Sequence, residues 1–387
     1  MAGLPAVSAE ALNAVGMVYR SGPSVRNEIG AVRSQYLAAV PKPTWLRQEP
    51  PYGSKEHRYF VWSANGRPRV LVLDESKGTG RGFDRLFVDR NGDGILALGE
   101  QVSGRRQQSM TVFGPVQVSL PFGKKVQAYH FLARCYAQDR RYPYVVLESA
   151  CYYVGRLRLG GQSYKVALVD NNSNGAFNDF GRSPYEGDRL LIDLNGDGKF
   201  PTGGPDNPES FPLSKLLQVQ DRYLKLEVAP EGSRLKVSQP QLKFGQVRSK
   251  AGAFQITLSS ADGLLRIKSA NGWARVPAGK YTLLRAVLTQ KDRRGRRWEL
   301  QSASSRTNPT VQVVADRATE LKLGGPLKAR ISAHVSGRHV NFSLRLADAA
   351  GLDVSGITVD GRRPPAPRLR IKRSNGQEVG RYDFHYG

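Results

Sequence analysis

Residues 89–100 read DRNGDGILALGE and place oxygen-bearing side chains at regular intervals in one short stretch. Asp89, Asn91 and Asp93 stand at alternate positions, and Glu100 follows seven residues after Asp93. Calcium takes six to eight oxygen ligands in a flexible geometry, which short carboxylate and amide side chains at loop positions 1, 3 and 5 can supply. The spacing therefore predicts a loop that holds a calcium ion.

The remaining positions of this stretch also suit calcium. Gly94 stands at position 6, where the chain must turn sharply, and the carbonyl oxygen of Ile95 at position 7 is a further candidate ligand. Glu100 stands at position 12, where a glutamate binds the ion through both oxygens. Every position of the loop consensus is thus filled.

Two further stretches repeat the pattern. DRLFVDRNGDGIL (84–96) and DRLLIDLNGDGKF (188–200) align at an offset of 104 residues, and KVALVDNNSNGAF (165–177) is a looser copy between them. Such self-similarity predicts an internal repeat of an apolar strand followed by a polar loop. The candidate ligands in these two copies are Asp170, Asn172, Asn174, Asn178 and Asp179, and then Asp193, Asn195, Asp197 and the carbonyl of Lys199.

Neither of these two copies has a glutamate at position 12, where glycines 181 and 204 stand. Candidate replacements are Asn178 and Asp179 for the second loop and Asp206 or Glu209 for the third, while Glu186 and Asp188 could serve either loop from outside. With fewer carboxylates, the dissociation constant for calcium should rise toward ~10⁻⁴ to 10⁻³ M. Such sites fill only where calcium is abundant, which predicts an extracytoplasmic location, although no signal peptide can be read in the first residues.

Polar turns without metal are the alternative interpretation of all three stretches. Asn-Gly and Asp-Gly are among the strongest hairpin-turn signals, and the Asn or Asp side chain of such a turn bonds to its own backbone. The sequence leaves both interpretations open.

The loops resemble the calcium loops of EF-hand, dockerin and thrombospondin type 3 proteins. In an EF-hand two helices flank the loop, whereas here RLFVD, VALVD and RLLID read as strands. We therefore expect calcium to rigidify strand connections, without the groove that sensor EF-hands open. RVPAGKYTLLRAVL resembles a strand of transthyretin-like or carboxypeptidase-regulatory-like sandwiches. With GRYDFHYG at its end, the chain resembles uncharacterised bacterial envelope proteins, a likeness that implies no activity.

The elements that must position the loops are predicted to be mainly strands. Helical patterns are confined to the first 45 or so residues, from Ser8 to Gly22 and from Ser24 to Pro41. Short β-branched and aromatic runs follow, separated by Gly, Asn and Asp. We predict a mainly β protein with an N-terminal helical segment (1–48), a β domain carrying the three loops (49–230) and a basic β-sandwich (231–387). The last hairpin turns at Asn375-Gly376, which predicts a type I′ turn.

Positive charge is concentrated in the C-terminal part. The net charge is +25, and residues 231–387 carry 29 of the 58 Lys and Arg residues but only 11 of the 33 acidic ones. This balance predicts attraction to polyanions, above all anionic polysaccharide, and does not exclude nucleic acid. In KDRRGRRWEL (291–300), Arg294, Arg296 and Arg297 could grip phosphate or uronate groups beside Trp298. A solvated hairpin end is the alternative.

Two cysteines, Cys135 and Cys151, are too few for a disulfide framework or a four-cysteine zinc site. A hairpin turning near Tyr142-Pro143 would set them opposite each other, which permits either a cross-strand disulfide or two buried thiols.

No catalytic motif stands out in the sequence. There is no H-E-x-x-H and no G-x-S-x-G, and no apolar run reaches the roughly 20 residues of a membrane helix. The sequence favours a non-enzymatic calcium-binding structural or ligand-binding module of the bacterial envelope or cell surface. A polysaccharide-acting enzyme and a polyanion-binding protein that uses the basic C-terminal domain are the alternatives. The oligomeric state is left open.

Overall fold

The computed structural model describes residues 14–78, 82–136, 144–183, 185–203, 207–305 and 308–384. The chain divides into two compact units, Met1–Pro240 and Gln241–Gly387. The predicted boundary lay near residue 230. The division falls later because residues 234–238 form a strand that pairs with two strands of the first unit.

The described part of the first unit contains three antiparallel sheets and one short α-helix, α1 (Val25–Ile29). Its strands are β1 (Ala14–Gly16), β2 (Val18–Ser21), β3 (Gln35–Ala38), β4 (Arg58–Ala64), β5 (Arg67–Asp74), β6 (Arg85–Val88), β7 (Gln101–Gln107), β8 (Met110–Phe122), β9 (Lys125–Tyr136), β10 (Tyr144–Ser149), β11 (Cys151–Leu159), β12 (Gln162–Val169), β13 (Arg189–Ile192), β14 (Ser210–Pro212), β15 (Leu216–Val219), β16 (Arg222–Val228) and β17 (Arg234–Ser238). The sheet orders are β1-β17-β16-β15, β3-β10-β9-β8-β7-β6-β5-β4 and β14-β13-β12-β11-β2.

Strand patterns explain how the three sheets share a hydrophobic core. β9 alternates buried Tyr129, Phe131 and Ala133 with more exposed neighbours, as expected of a strand with one face in the core. Side chains from all three sheets, among them Phe60 and Leu235, pack in a common cluster. Trp62 is fully buried in this cluster.

The mainly β prediction is confirmed, whereas the two predicted N-terminal helices are wrong for most of their described residues. Residues 14–21 form β1 and β2, which pair with β17 and β11. Val15 and Met17 are buried with exposed Gly16 between them, so the pattern has the two-residue period of a strand. The earlier part of the first predicted helix, from Ser8, lies outside the described residues.

The second predicted helix shrinks to α1 because the chain turns at Gly30. Gly30 adopts φ +76, and an added Cβ would fall 2.7 Å from the carbonyl oxygen of Thr202, so only glycine fits this turn. The following chain enters β3, which pairs with β10. Non-local strand pairing therefore replaces most of the helix that local propensity favoured.

The two cysteines are not opposite each other. Cys135 pairs with Val145 across the β9–β10 ladder, and Cys151 pairs with Ser21 of β2. Both are buried free thiols, and burial raises the pKa of each to about 12. The turn predicted near Tyr142-Pro143 lies outside the described residues.

The second unit is also built from strands. They are β18 (Phe244–Arg248), β19 (Ala253–Ser260), β20 (Gly263–Ser269), β21 (Trp273–Pro277), β22 (Gly279–Lys291), β23 (Arg297–Ala303), β24 (Thr310–Val313), β25 (Ala318–Glu320), β26 (Lys328–Ser336), β27 (His339–Ala347), β28 (Asp353–Val359), β29 (Arg368–Lys372) and β30 (Glu378–Asp383). One sheet has the order β21-β18-β25, the largest has β20-β19-β22-β23-β28-β27-β26 with β24 paired to β22, and β29 pairs with β30.

The terminal hairpin β29–β30 forms as predicted, but its turn is not a two-residue type I′ turn. Gly376 has φ +87, whereas Asn375 is not at positive φ, and the ladder is irregular beside Lys372. Among the described residues, no helix has the length and apolar character needed to cross a membrane.

Candidate metal centre

The first candidate loop, residues 89–100, begins where β6 ends and closes in a 3₁₀ turn, Leu98–Glu100. The buried Asp89 side chain accepts two backbone hydrogen bonds, from Gly92 at 2.6 Å and from Gly94 at 3.2 Å. These bonds fold the loop around the carboxylate. The strand predicted before Asp89 is confirmed.

Asn91, Asp93 and Glu100 shape the rest of the first loop. The Asn91 side-chain oxygen accepts the N–H of Asp93 at 3.0 Å, and Asp93 accepts the N–H of Ile95 at 2.8 Å. Glu100 accepts the N–H groups of loop positions 2 and 9 at 2.8 and 3.0 Å. The position-12 glutamate therefore reaches back to the start of the loop.

The third loop, which follows β13, has the same hydrogen bonds at equivalent positions. Asp193 accepts the N–H groups of Gly196 at 2.9 Å and Gly198 at 3.0 Å. Asn195 accepts the N–H of Asp197, which accepts the N–H of Lys199, each at 2.8 Å. The chain thus folds in the same way in two loops whose sequences are 104 residues apart.

The second loop follows β12 and is more deeply buried. Asp170 accepts the N–H of Gly175 at 2.8 Å and the hydroxyl of Tyr129 at 2.7 Å. Asp179 accepts the side-chain amides of Asn172 at 3.0 Å and Asn174 at 2.6 Å. These contacts bring both acidic side chains and both amide side chains into one cluster.

A carboxylate closes each loop by accepting the N–H of loop position 2. Glu100 does so in the first loop, Asp188 in the second at 3.2 Å and Glu209 in the third at 2.8 Å. Asp188 and Glu209 were two of the candidates for the missing position-12 ligand. Of the others, Asp206 lies outside the described residues, Glu186 is exposed, and Asn178 is partly exposed.

Buried carboxyl groups lie close to one another in these loops, and this raises the pKa of several of them. Burial raises the pKa of Glu100, and the charges of Asp89 and Asp93 add to that effect. Burial raises the pKa of Asp170 to about 6. The pKa of Asp188 lies well above its usual range because of burial and of repulsion from Asp170 and Asp179. A cation among these oxygens would offset that repulsion.

Basic side chains already contact the first and third loops. The buried Arg69 side chain lies 3.8 Å from Asp89 and donates to the Ser119 carbonyl at 2.6 Å. Arg47 donates to the carbonyl of Asp93. Lys165 donates to the carbonyl of Gly198 in the third loop at 2.7 Å. The first loop, which fills every position of the consensus, is thus contacted by two arginines.

The donor set in these loops is oxygen, which suits calcium, but it includes few carboxylates. Among the described residues, no group of three or more His, Cys, Asp and Glu side chains is placed to hold a metal ion. Amide and carbonyl oxygens make up the remainder of the ligands in a loop of this type. The loop donors are thus oxygens, the ligand type that calcium takes, whereas structural zinc sites use cysteine and histidine.

No protein-family model, curated protein or solved structure matches this chain.

The basic tip between β22 and β23 does not present all its predicted residues outward. Arg296 pairs with Asp292 at 2.8 Å, and the Trp298 indole donates to the same carboxylate at 3.1 Å. The Arg296 guanidinium also lies 5.8 Å from the Trp298 ring centre. Arg294, Arg296 and Arg297 are exposed, whereas Trp298 is partly buried. Two of the four predicted polyanion ligands are thus held by an acidic neighbour.

Position 4 of the loops offers a matched test of this packing. Gly92 and Gly196 adopt φ +78 and +77, but an added Cβ has open space at Gly196 and would overlap the Arg69 guanidinium at Gly92. We expect Gly196→Ala to lower the free energy of unfolding by about 1–2 kcal/mol through backbone strain. Gly92→Ala should cost roughly 2 kcal/mol more, since Arg69 must leave its buried carbonyl partner. Urea unfolding of both variants measures this difference, and equal losses would contradict the role given to Arg69.

Proposed function

We propose that the first unit is a non-enzymatic calcium-binding structural module in which ions held by the three loops rigidify the connections between strands. The observation that carries the proposal is the closing carboxylate. Glu100, Asp188 and Glu209 occupy equivalent places although they differ in their distance along the chain from the loops they close. Hairpin turns need no such acid, whereas a calcium loop needs one opposite position 1.

Oxygen atoms of the loops would hold the ions. Each position-1 carboxylate has lone pairs left after accepting its backbone hydrogen bonds, because two carboxylate oxygens offer about four acceptor sites. The position-3 and position-5 side chains, the position-7 carbonyls of Ile95 and Lys199, and the closing carboxylates complete the sets. Asn178 is a further candidate in the second loop. A bound ion would supply positive charge that offsets the repulsion between buried acids.

The expected cellular location of the protein follows from the expected affinity of the loops for calcium. In the second and third loops the closing acid comes from outside the twelve-residue stretch, so weak binding at the level of extracellular modules is expected. Such sites would be filled outside the cytoplasm, which fits a structural or ligand-binding protein of the bacterial envelope or cell surface. A polysaccharide-acting enzyme remains the alternative class. Polyanion binding by the basic C-terminal part remains a prediction from charge.

Calorimetric titration of chelator-stripped protein with calcium tests the proposal. The wild type should bind about three ions, and Glu100→Gln, Asp188→Asn and Glu209→Gln should each remove one, because a calcium loop loses its closing carboxylate. Asp221→Asn, an exposed acid in the turn between β15 and β16, is the matched control and should leave the stoichiometry unchanged. Absence of binding heat at millimolar calcium would show that the loops are metal-free turns.

A further inference from the structure

Among the described residues of the second unit, the largest sheet ends in a strand, β26, with no neighbour on its outer side. β26 pairs with β27 on one side and stands at the end of the sheet order. All nine of its residues are exposed, with Val335 at 67% and Ile331 at 52%. Long exposed edge strands are rare in soluble proteins unless they are blunted, because their backbone groups invite another strand.

The hairpin formed by β26 and β27 has one apolar face and one basic face. Cross-strand register places only apolar pairs on the first face: Ala329 with Leu346, Ile331 with Leu344, Ala333 with Phe342, and Val335 with Val340. The opposite face carries polar pairs that include Arg330 with Arg345 and His334 with Asn341. An added strand would therefore meet different chemistry on its two faces.

The backbone groups that point to the open edge belong to the apolar-face residues of β26. The hairpin closes through a two-residue turn, with Gly337 at φ +58, so the flanking pair Ser336 and His339 is hydrogen-bonded. Bonded and non-bonded pairs alternate along an antiparallel ladder. The N–H and C=O groups of Ile331, Ala333 and Val335 thus face away from β27.

Apolar surface continues from this hairpin into a groove of about 770 Å³ within the second unit. Phe342 and Leu344 line the groove from β27, and Pro367 and Phe384 line it from the chain around the terminal hairpin. Phe342 and Leu344 are accordingly half-buried, whereas Ile331 and Val335 on β26 stay exposed. The uncovered part of the apolar face includes Ile331 and Val335 beside the open edge and Val340 near the turn.

We propose that β26 binds an extended segment of another protein as an added strand, and that this segment alternates apolar and acidic residues. Residues 328–347 contain four Lys and Arg residues, two histidines and no acid. Acidic side chains of the added strand would lie beside Arg330. Apolar side chains of the same strand would pack next to Ile331 and Val335 and reduce their exposure. Backbone hydrogen bonds supply affinity in this binding mode, and alternate side chains supply specificity.

Two other occupants fit the edge less well. A second copy of β26 would bring another basic strand beside the first, which opposes pairing between copies. A membrane surface would cover the apolar face but would leave the edge N–H and C=O groups in lipid without partners, and lipid does not tolerate an open sheet edge. An added strand with acidic side chains would both hydrogen-bond to the edge N–H and C=O groups and balance the basic charge of the hairpin.

Fluorescence anisotropy with three labelled nine-residue peptides tests the proposal on the full chain. One peptide alternates Val and Glu, one alternates Val and Lys, and one has the Val/Glu composition with the residues in blocks. We expect the alternating acidic peptide to bind at least tenfold more tightly than either other peptide, and less tightly as salt is raised. Equal binding of the acidic and basic peptides, or no binding of the acidic one, would overturn the proposal.

Two variants locate the site. Ala333→Pro removes an N–H that points to the open edge and leaves the bonds to β27 in place, so it should weaken acidic-peptide binding at least tenfold. Arg330→Glu changes an exposed charge only and should narrow the preference for the acidic over the Val/Lys peptide, since three of the four Lys and Arg residues remain. Unchanged preference in Arg330→Glu overturns the proposal even if Ala333→Pro misfolds. Binding to anionic phospholipid vesicles without peptide binding, or dimerisation that blocks the peptides, would also overturn it.

Discussion

Asp188→Ala is expected to lower the free energy of unfolding of the first unit by about 2–4 kcal/mol, because each unsatisfied buried donor costs about 1–3 kcal/mol. The fully buried Asp188 side chain accepts the N–H groups of Asn171 at 3.2 Å and Asp179 at 2.8 Å. Alanine leaves both donors without an acceptor. Urea unfolding followed by circular dichroism, with a separate transition fitted for each unit, measures the loss. Asp221→Ala, an exposed control, should stay within about 0.5 kcal/mol of wild type.

Calcium should widen the gap between wild type and Asp188→Ala. An ion that binds only the folded protein stabilises it by about 2.7 kcal/mol when its concentration is 100 times the dissociation constant. The variant lacks the closing carboxylate of the second loop and should lose this increment at that site. If the gap is the same in chelator and in saturating calcium, Asp188 is a hydrogen-bond acceptor only and the second loop holds no ion.

Local chemistry made the loops predictable from sequence. An Asp or Asn side chain bonds to backbone N–H groups a few residues ahead, so the positions of Asp89 and Asp193 and of the glycines after them follow from a stretch of six residues. The apolar runs before these acids are strands because they pair within the sheets. In these parts, local propensity and the fold agree.

The sequence offered several candidates for the closing acids of the second and third loops, but it could not show which candidate closes which loop. Asp188 stands directly before β13 and Glu209 directly before β14, and the pairing of these strands with each other and with β12 carries both acids to their loops. A loop consensus covers twelve residues and does not include strand pairing. The same cause explains β1 and β2, whose partners are more than 100 residues away.

Arg69 was missed because nothing in the sequence near β5 connects it to residues 89–100. Its neighbours in RPRVLVLD indicate a strand, and an arginine in a strand is usually solvated. Only the antiparallel pairing of β5 with β6 brings the start of one strand beside the loop that follows the other. The signal available from sequence was a basic residue in an otherwise apolar run, which is too common to assign a role.

Arg69→Met is expected to lower the free energy of unfolding by about 3–5 kcal/mol in chelator, the range for removing one partner of a buried ion pair. Arg69 and Asp89 have side chains that are 2% and 1% exposed, so the variant leaves Asp89 buried without its cation. Arg67→Met, at an exposed position two residues earlier, is the control and should cost no more than about 0.5 kcal/mol. Differential scanning calorimetry and urea unfolding both report the difference.

Calcium should restore more stability to Arg69→Met than it adds to the wild type. In the wild type, the guanidinium repels a cation placed beside Asp89, whereas in the variant the ion alone balances that carboxylate. The increase in the free energy of unfolding on adding calcium should therefore be larger in Arg69→Met than in Arg67→Met or the wild type. If calcium stabilises all three proteins equally, no ion binds next to Asp89, and Arg69 rather than a metal balances the charge of the first loop.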